Sequence, residues 1–233
     1  MQPSPSKALE SVQRKVIRCQ RCPRLIAYCR EVAQNKRRMY RHEEYWGRPL
    51  PAFGDPDAEL LIVGLAPAAH GGNRTGRMFT GDRSGDFLYR ALYEAGFANQ
   101  PQSISPGDGL QLRRCYVTAA LRCAPPQNKP ATEELVNCRS YLIRELELLT
   151  RVRAVMALGR IAFDAYLGAV KTQLDGKPRS AFRFSHGAQY EMPGGLPMLF
   201  ASYHPSQQNT QTGRLTVEMF RTVLEDVCRH LSS

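Results

Sequence analysis

Four short apolar runs, Glu59 to Val63, Cys115 to Thr118, Ala154 to Leu158 and Met198 to Ala201, lack the in-out alternation of a strand with one wet face. Runs of that length without alternation suit parallel strands covered on both faces. Helical spacing separates them. Gly85 to Ala95 puts Phe87, Leu88, Ala91 and Leu92 on one side, and Leu215 to Leu231 repeats the pattern with Val217, Phe220, Val223, Leu224 and Val227. Thr132, followed by Glu133 and Glu134, reads as a capped start of a helix running to Leu149. Alternating strands and helices predict an α/β chain with a doubly wound sheet. At 233 residues one substantial core suffices, so residues 1–233 are read as a single domain whose first six residues form a mobile tail.

Composition narrows the class. Apolar residues at 42% and charged residues at 23% argue against disorder and fibrous architecture. No apolar run approaches a membrane span, and MQPSPSKALE carries no apolar leader core, so a cytoplasmic, non-membrane protein is expected. Net charge is +11, and residues 14–48 hold eleven Lys or Arg against Glu31, Glu43 and Glu44. That excess points to a polyanion partner; a merely solvated basic face is the plain alternative.

Seven cysteines, an odd number in a reducing compartment, argue against a disulfide framework. Cys19 and Cys22 form a C-x2-C claw, and Cys123 and Cys138 supply a second pair. The long separations close only through tertiary folding, which suits a metal site that staples the N-terminal segment onto the sheet. Zinc and a [4Fe-4S] cluster both accept four thiolates, and spacing does not choose between them. Cys29, Cys115 and Cys228 lie in apolar contexts that suit small buried side chains, with Cys29 a conceivable substitute ligand.

Three of the four runs lead into unusual segments: GLAPAAHGGNRTGRMFTGD (64–82), TAALRCAPPQNKP (118–130) and SYHPSQQNTQTGRLT (202–216). In a doubly wound sheet the carboxyl ends of the strands form the ligand side, so the three should converge there. Gly64, Ala66 and Ala68 are small enough to let a planar ligand reach the backbone. Phe79 could stack on a base or belong to the core. Asp82 could orient water or simply cap the helix that follows. Asn128 lies in a Pro-rich loop, where Asn often bonds locally. His204 opens a polar loop in which Ser206 and Asn209 could grip phosphates.

Taken together, these motifs and the Cys19–Cys22 claw resemble family 5 (UDGb-type) uracil-DNA glycosylases, over residues 19 to about 220. The resemblance implies a three-layer α/β/α fold with a central four-stranded parallel sheet. It also implies a [4Fe-4S] cluster held by Cys19, Cys22, Cys123 and Cys138, with Asp82, Asn128 and His204 catalytic and Phe79 stacking on the base. The implied activity is monofunctional hydrolysis of the glycosidic bond of uracil and other deaminated or damaged bases in DNA after base flipping. A monomer associated with the nucleoid in a prokaryote is expected. Ala68 stands where related families place an Asp or Asn that activates water, which puts a conventional general base in doubt. Two other classes stay open: an electron carrier and a non-catalytic nucleic-acid-binding module.

Overall fold

The computed structural model describes residues 5–233. In chain order the elements are α1 (Pro5–Ile17), α2 (Pro23–Gln34), β1 (Phe53–Gly54), β2 (Leu60–Gly64), α3 (Gly72–Thr75), α4 (Arg83–Glu94), β3 (Cys115–Ala119), α5 (Thr132–Leu148), β4 (Ala154–Leu158), α6 (Arg160–Ala169), β5 (Gln189–Tyr190), β6 (Met198–Ser202), α7 (Gln207–Gln211) and α8 (Val217–Ser232). The strands form one sheet ordered β1-β3-β2-β4-β6-β5. The four central strands are parallel, in a register that sets Leu60 beside both Cys115 and Ala154, and Ala154 beside Met198.

The missing alternation of the apolar runs has its cause in this arrangement. Leu60, Ile62, Val117, Met156 and Phe200 point to one face, where α4 and α8 cover them. Leu61, Val63, Tyr116, Val155 and Leu199 point to the other, beneath α5, α6 and Leu9 of α1. Both faces are dry, so every position along these strands is apolar or small, and the three-layer α/β/α fold follows. Phe200 is fully buried, and its truncation to Ala should cost about 3–5 kcal/mol.

The four central parallel strands are the expected ones, and the sheet extends beyond them on both sides. β1 and β5 add antiparallel edges of two residues each, too short to leave a pattern in the sequence, and they cover the rims of β3 and β6. Residues 1–4 of the expected mobile tail lie outside the described residues, and Pro5 and Ser6 begin α1. The N-cap of α5 is Ala131, not Thr132, because Glu134 reaches back to accept the Ala131 N–H at 2.7 Å. Glu134 also takes both arms of a fork from Arg24 of α2 at 2.7 Å each, joining the two helices that carry Cys22 and Cys138.

Candidate active site

The β2–β3 ladder continues past the strand ends. Ala120 N–H donates to Gly64 O and Leu121 N–H to Leu65 O, both at 2.9 Å, which lays the second segment against the first. Beyond β4, Gly159 donates to Ser202 O at 2.8 Å and brings the third segment alongside. The convergence expected of a doubly wound sheet is therefore present at its carboxyl edge.

At that edge the Phe79 and His204 rings stack, with centroids 5.8 Å apart and planes 27° from parallel. Gly64 makes this possible, since a Cβ there would stand 2.7 Å from the Phe79 ring. Phe79 itself has a φ of +51°, a left-handed conformation that a bulky residue adopts only when its surroundings hold it. The holding groups are a buried network. Arg77 donates to Asp108 Oδ1 and Oδ2 at 3.0 and 2.6 Å, to Ser103 Oγ at 2.7 Å and to Thr80 Oγ1 at 3.1 Å, while Tyr89 OH donates to Met78 O at 2.8 Å. Burial works against the Asp108 charge, yet Arg77 and the N–H groups of Ile104, Leu110 and Ser105 hold its carboxyl well below the usual carboxylate range.

Asp82 is the N-cap of α4, and its Oδ1 accepts the Gly85 N–H at 3.0 Å. Its Oδ2 packs against Gly71, where any Cβ would stand 2.0 Å away. Burial raises its pKa, and the N–H groups of Gly85 and Ser84 only partly offset that. A carboxylate here is poorly hydrated, so it interacts more strongly with nearby positive charge than one in water would.

His204 follows β6, half-buried with its ring against Phe79, and burial alone pulls its pKa down to about 4. At neutral pH the imidazole is uncharged and offers one N–H. Asn209 Nδ2 donates to His204 O at 2.8 Å, and Ser206 Oγ caps α7 by accepting the Asn209 N–H at 3.3 Å. Both residues thus shape the backbone of the loop after β6. One contributor escaped the sequence reading: His186 Nδ1 accepts the Tyr203 N–H at 3.1 Å and its ring stacks on Tyr203 at 5.1 Å. A His sixteen or more residues before the motif carried no local signal of that role.

The other candidates are placed less centrally. The Ala68 carbonyl accepts N–H groups from Gly71 and Asn73 at 3.2 and 3.0 Å, while Ala66 packs toward the cysteine region. Asn128 is exposed, with φ of +57° after Gln127 at +55°, and among the described residues its side chain makes no hydrogen bond.

Cys19, Cys22, Cys123 and Cys138 line one cavity between α1, α2, α5 and the segment after β3. Among the described residues no three His, Cys, Asp or Glu side chains adopt a metal-holding arrangement. Two features of the cavity nevertheless suit an anionic thiolate centre. Asn137 Nδ2 donates to Cys22 Sγ at 3.8 Å. Arg122, fully buried on the cavity wall, gives one nitrogen to Glu145 at 2.5 Å and leaves Nε and Nη1 without a partner. Buried guanidinium donors without acceptors are costly, and a negatively charged group in the cavity would satisfy them. Cys29 lies beside Cys123, fully buried, with its Sγ 3.7 Å from Ala124 O. Burial also raises the Cys138 thiol to about 11, so metal binding would have to release protons. Arg21 stacks on Tyr141 at 5.0 Å and donates to Ser140 Oγ at 2.7 Å, closing the outer side.

Comparison with known proteins identifies the family. The uracil DNA glycosylase superfamily profile matches residues 51–228. A type-5 uracil-DNA glycosylase of Thermus thermophilus is 56% identical over 91% of this chain and 93% of its own length. The type-5 enzyme of Pyrobaculum aerophilum is 49% identical over 90% and 88%. A type-4 uracil-DNA glycosylase of Archaeoglobus fulgidus is 32% identical over 48% and 49%. With the superfamily match, the near full-length similarity to type-5 proteins and the convergent loops, the chain belongs to the type-5 family of the uracil DNA glycosylase superfamily.

Proposed function

We propose that the protein is a monofunctional uracil-DNA glycosylase acting in base excision repair. The observation that carries this reading is the Phe79–His204 pair at the carboxyl edge of the sheet, an aromatic platform beside a neutral imidazole. The substrate is a flipped deoxyuridine or another deaminated nucleotide. The base stacks on Phe79, so the His204 ring, whose centroid lies 5.8 Å from that of Phe79, must shift from the face of that ring to the edge of the base for its N–H to reach uracil O2.

In the reaction, water oxygen bonds to C1′ of the sugar as the C1′–N1 bond breaks; uracil leaves with the bonding pair and a proton from water goes to solvent. The His204 N–H donates toward uracil O2, where negative charge grows, and this contact strengthens in the transition state. A neutral imidazole suits this role because its pKa near 4 keeps it uncharged through the neutral range. The Asp82 carboxylate stabilises the positive charge on deoxyribose and helps orient water. Asn128, on the exposed turn after Pro125, assists water placement when DNA is bound. Ala68 leaves the site without a second carboxylate, so charge stabilisation rather than proton abstraction dominates.

The four cysteines would hold a [4Fe-4S] cluster, with the unpartnered Arg122 donors facing its negative charge. Such a cluster supplies a covalent staple between the N-terminal helices and the sheet. The enzyme is proposed to work as a monomer on DNA. No helix among the described residues is long and apolar enough to cross a membrane.

The test is incubation of the purified protein with a uracil-containing duplex, followed by alkali and by borohydride in parallel. Free uracil with alkali-labile strands and no trapped covalent adduct is expected. Reversible redox of the protein with no base release would favour the electron carrier, and affinity without product would favour a binding module.

A further inference from the structure

Among the described residues the two most exposed large apolar side chains are Met39, 73% accessible, and Ile104, 68%. They are 65 residues apart in the chain, yet the segments that carry both are tied to the backbone of one residue, Gly81. Gly81, immediately before Asp82, donates its N–H to Ser103 O at 3.3 Å, and its carbonyl accepts Arg74 Nη2 at 2.9 Å. Ser103 is the neighbour of Ile104. The Arg74 guanidinium lies 3.9 Å over the ring of Tyr40, the neighbour of Met39, and pairs with Glu43.

Both side chains stand on backbone that is held in place. Tyr40 N–H donates to Arg37 O at 2.8 Å and Glu43 N–H to Tyr40 O at 3.0 Å, which folds 37–43 into consecutive tight turns. On the other side Asp108 Oδ2 accepts the N–H groups of Ile104 and Ser105 at 2.7 and 3.2 Å. Single exposed apolar residues are ordinary. Two such residues on rigid turns, flanking the backbone of a site residue and with Arg37, Arg38 and Arg41 exposed around one of them, make an apolar pair in a basic setting.

We infer that Met39 and Ile104 form a two-sided apolar rim that packs against the base pairs on either side of the extruded nucleotide in duplex DNA. The inference rests on the glycosylase reading. Apolar side chains pressed into a partly unstacked step offset the lost stacking, while the neighbouring arginines neutralise phosphates. The partner chemistry is a helix with a weak or damaged pair; a single strand has no stack to open and should not need the rim.

The test compares wild type with Met39→Ser, Ile104→Ser and the double variant. Single-turnover excision is measured on a uracil duplex and on the same strand alone. In parallel, fluorescence of 2-aminopurine beside a non-hydrolysable 2′-fluorodeoxyuridine in the duplex reports unstacking without needing cleavage. The double variant should lose about tenfold or more of its duplex rate and most of the fluorescence rise, with single-strand excision and melting temperature unchanged. Met39→Leu should restore the duplex rate. Equal losses on both substrates, or native fluorescence in the double variant, would overturn the inference. Failure of the wild type to release uracil from either substrate would instead sink the glycosylase reading, and the fluorescence arm would still judge the rim.

Discussion

At the scale of single residues, Asp82 and His204 differ in what burial does to them. Burial raises the Asp82 carboxyl and lowers the His204 imidazole, so on acidification the first loses charge sooner than an ordinary carboxylate would, and the second gains it later than an ordinary histidine would. Excision should therefore rise with pH through the elevated Asp82 value and show no step near 6.5, a profile readable in single-turnover rates. Asp82→Asn keeps the helix cap, since Asn caps as well as Asp, so melting should move by less than about 1 kcal/mol. The rate should nevertheless fall roughly tenfold or more if the carboxylate supports the sugar cation; an unchanged rate would leave Asp82 as a cap alone. His204 has a linked effect on stability. Its folded pKa lies below its unfolded value, so the unfolded chain binds the extra proton and stability is lost as pH falls from about 6.5 toward 4. Replacing His204 with Gln should flatten that part of the melting-versus-pH curve.

Among elements, the strands and their flanking helices were the most legible, because a strand with two dry faces writes itself as an unbroken apolar run. Leu60–Gly64 and Cys115–Ala119 each lie within a residue of the expected bounds. The helix from Arg160 was less visible because its start follows β4 without a loop, through Gly159. Helices α1 and α2 were hidden by their basic charge, although Leu9, Val12 and Val16, and then Leu25, Ile26, Cys29 and Val32, mark buried faces. At the site, the motif residues were legible but their support was not. Arg77, Ser103 and Asp108 lie up to 31 residues apart, and only folding brings them together under Phe79. Arg77→Ala strands the Asp108 carboxylate in a largely buried setting, and unfolding experiments should show a loss of about 3–5 kcal/mol. Cys138→Ser removes one of four thiolates from the cavity that joins α1 and α2 to α5. Native protein should carry iron, and the variant should lose it together with part of the thermal stability; stoichiometric zinc and no iron in anaerobically purified protein would contradict the cluster.

For the whole molecule, the proposed function separates affinity from chemistry. The basic N-terminal stretch is tied to the segment after β2 by Trp46 N–H to Arg74 O at 2.9 Å and Gly47 N–H to Asn73 O at 3.0 Å, so the proposed phosphate contacts there would be rigidly referred to the proposed site. Charge reversal at Arg37 and Arg38 should weaken DNA affinity and lower the slope of log affinity against log salt by about two, with little change in rate at saturating enzyme. His204 should behave in the opposite way. In the proposed mechanism its hydrogen bond acts mainly in the transition state, and losing such a donor typically costs about 10²- to 10³-fold in rate. The decisive measurement is single-turnover release of free uracil from a duplex by wild type and His204→Ala at saturating enzyme, with duplex affinity and melting followed on the same samples. Complete release by the wild type, with a variant slowed by about two to three orders of magnitude and unchanged in affinity and folding, is the expected result. A wild type that releases no uracil, or a folded His204→Ala protein that excises at the native rate, would contradict the account.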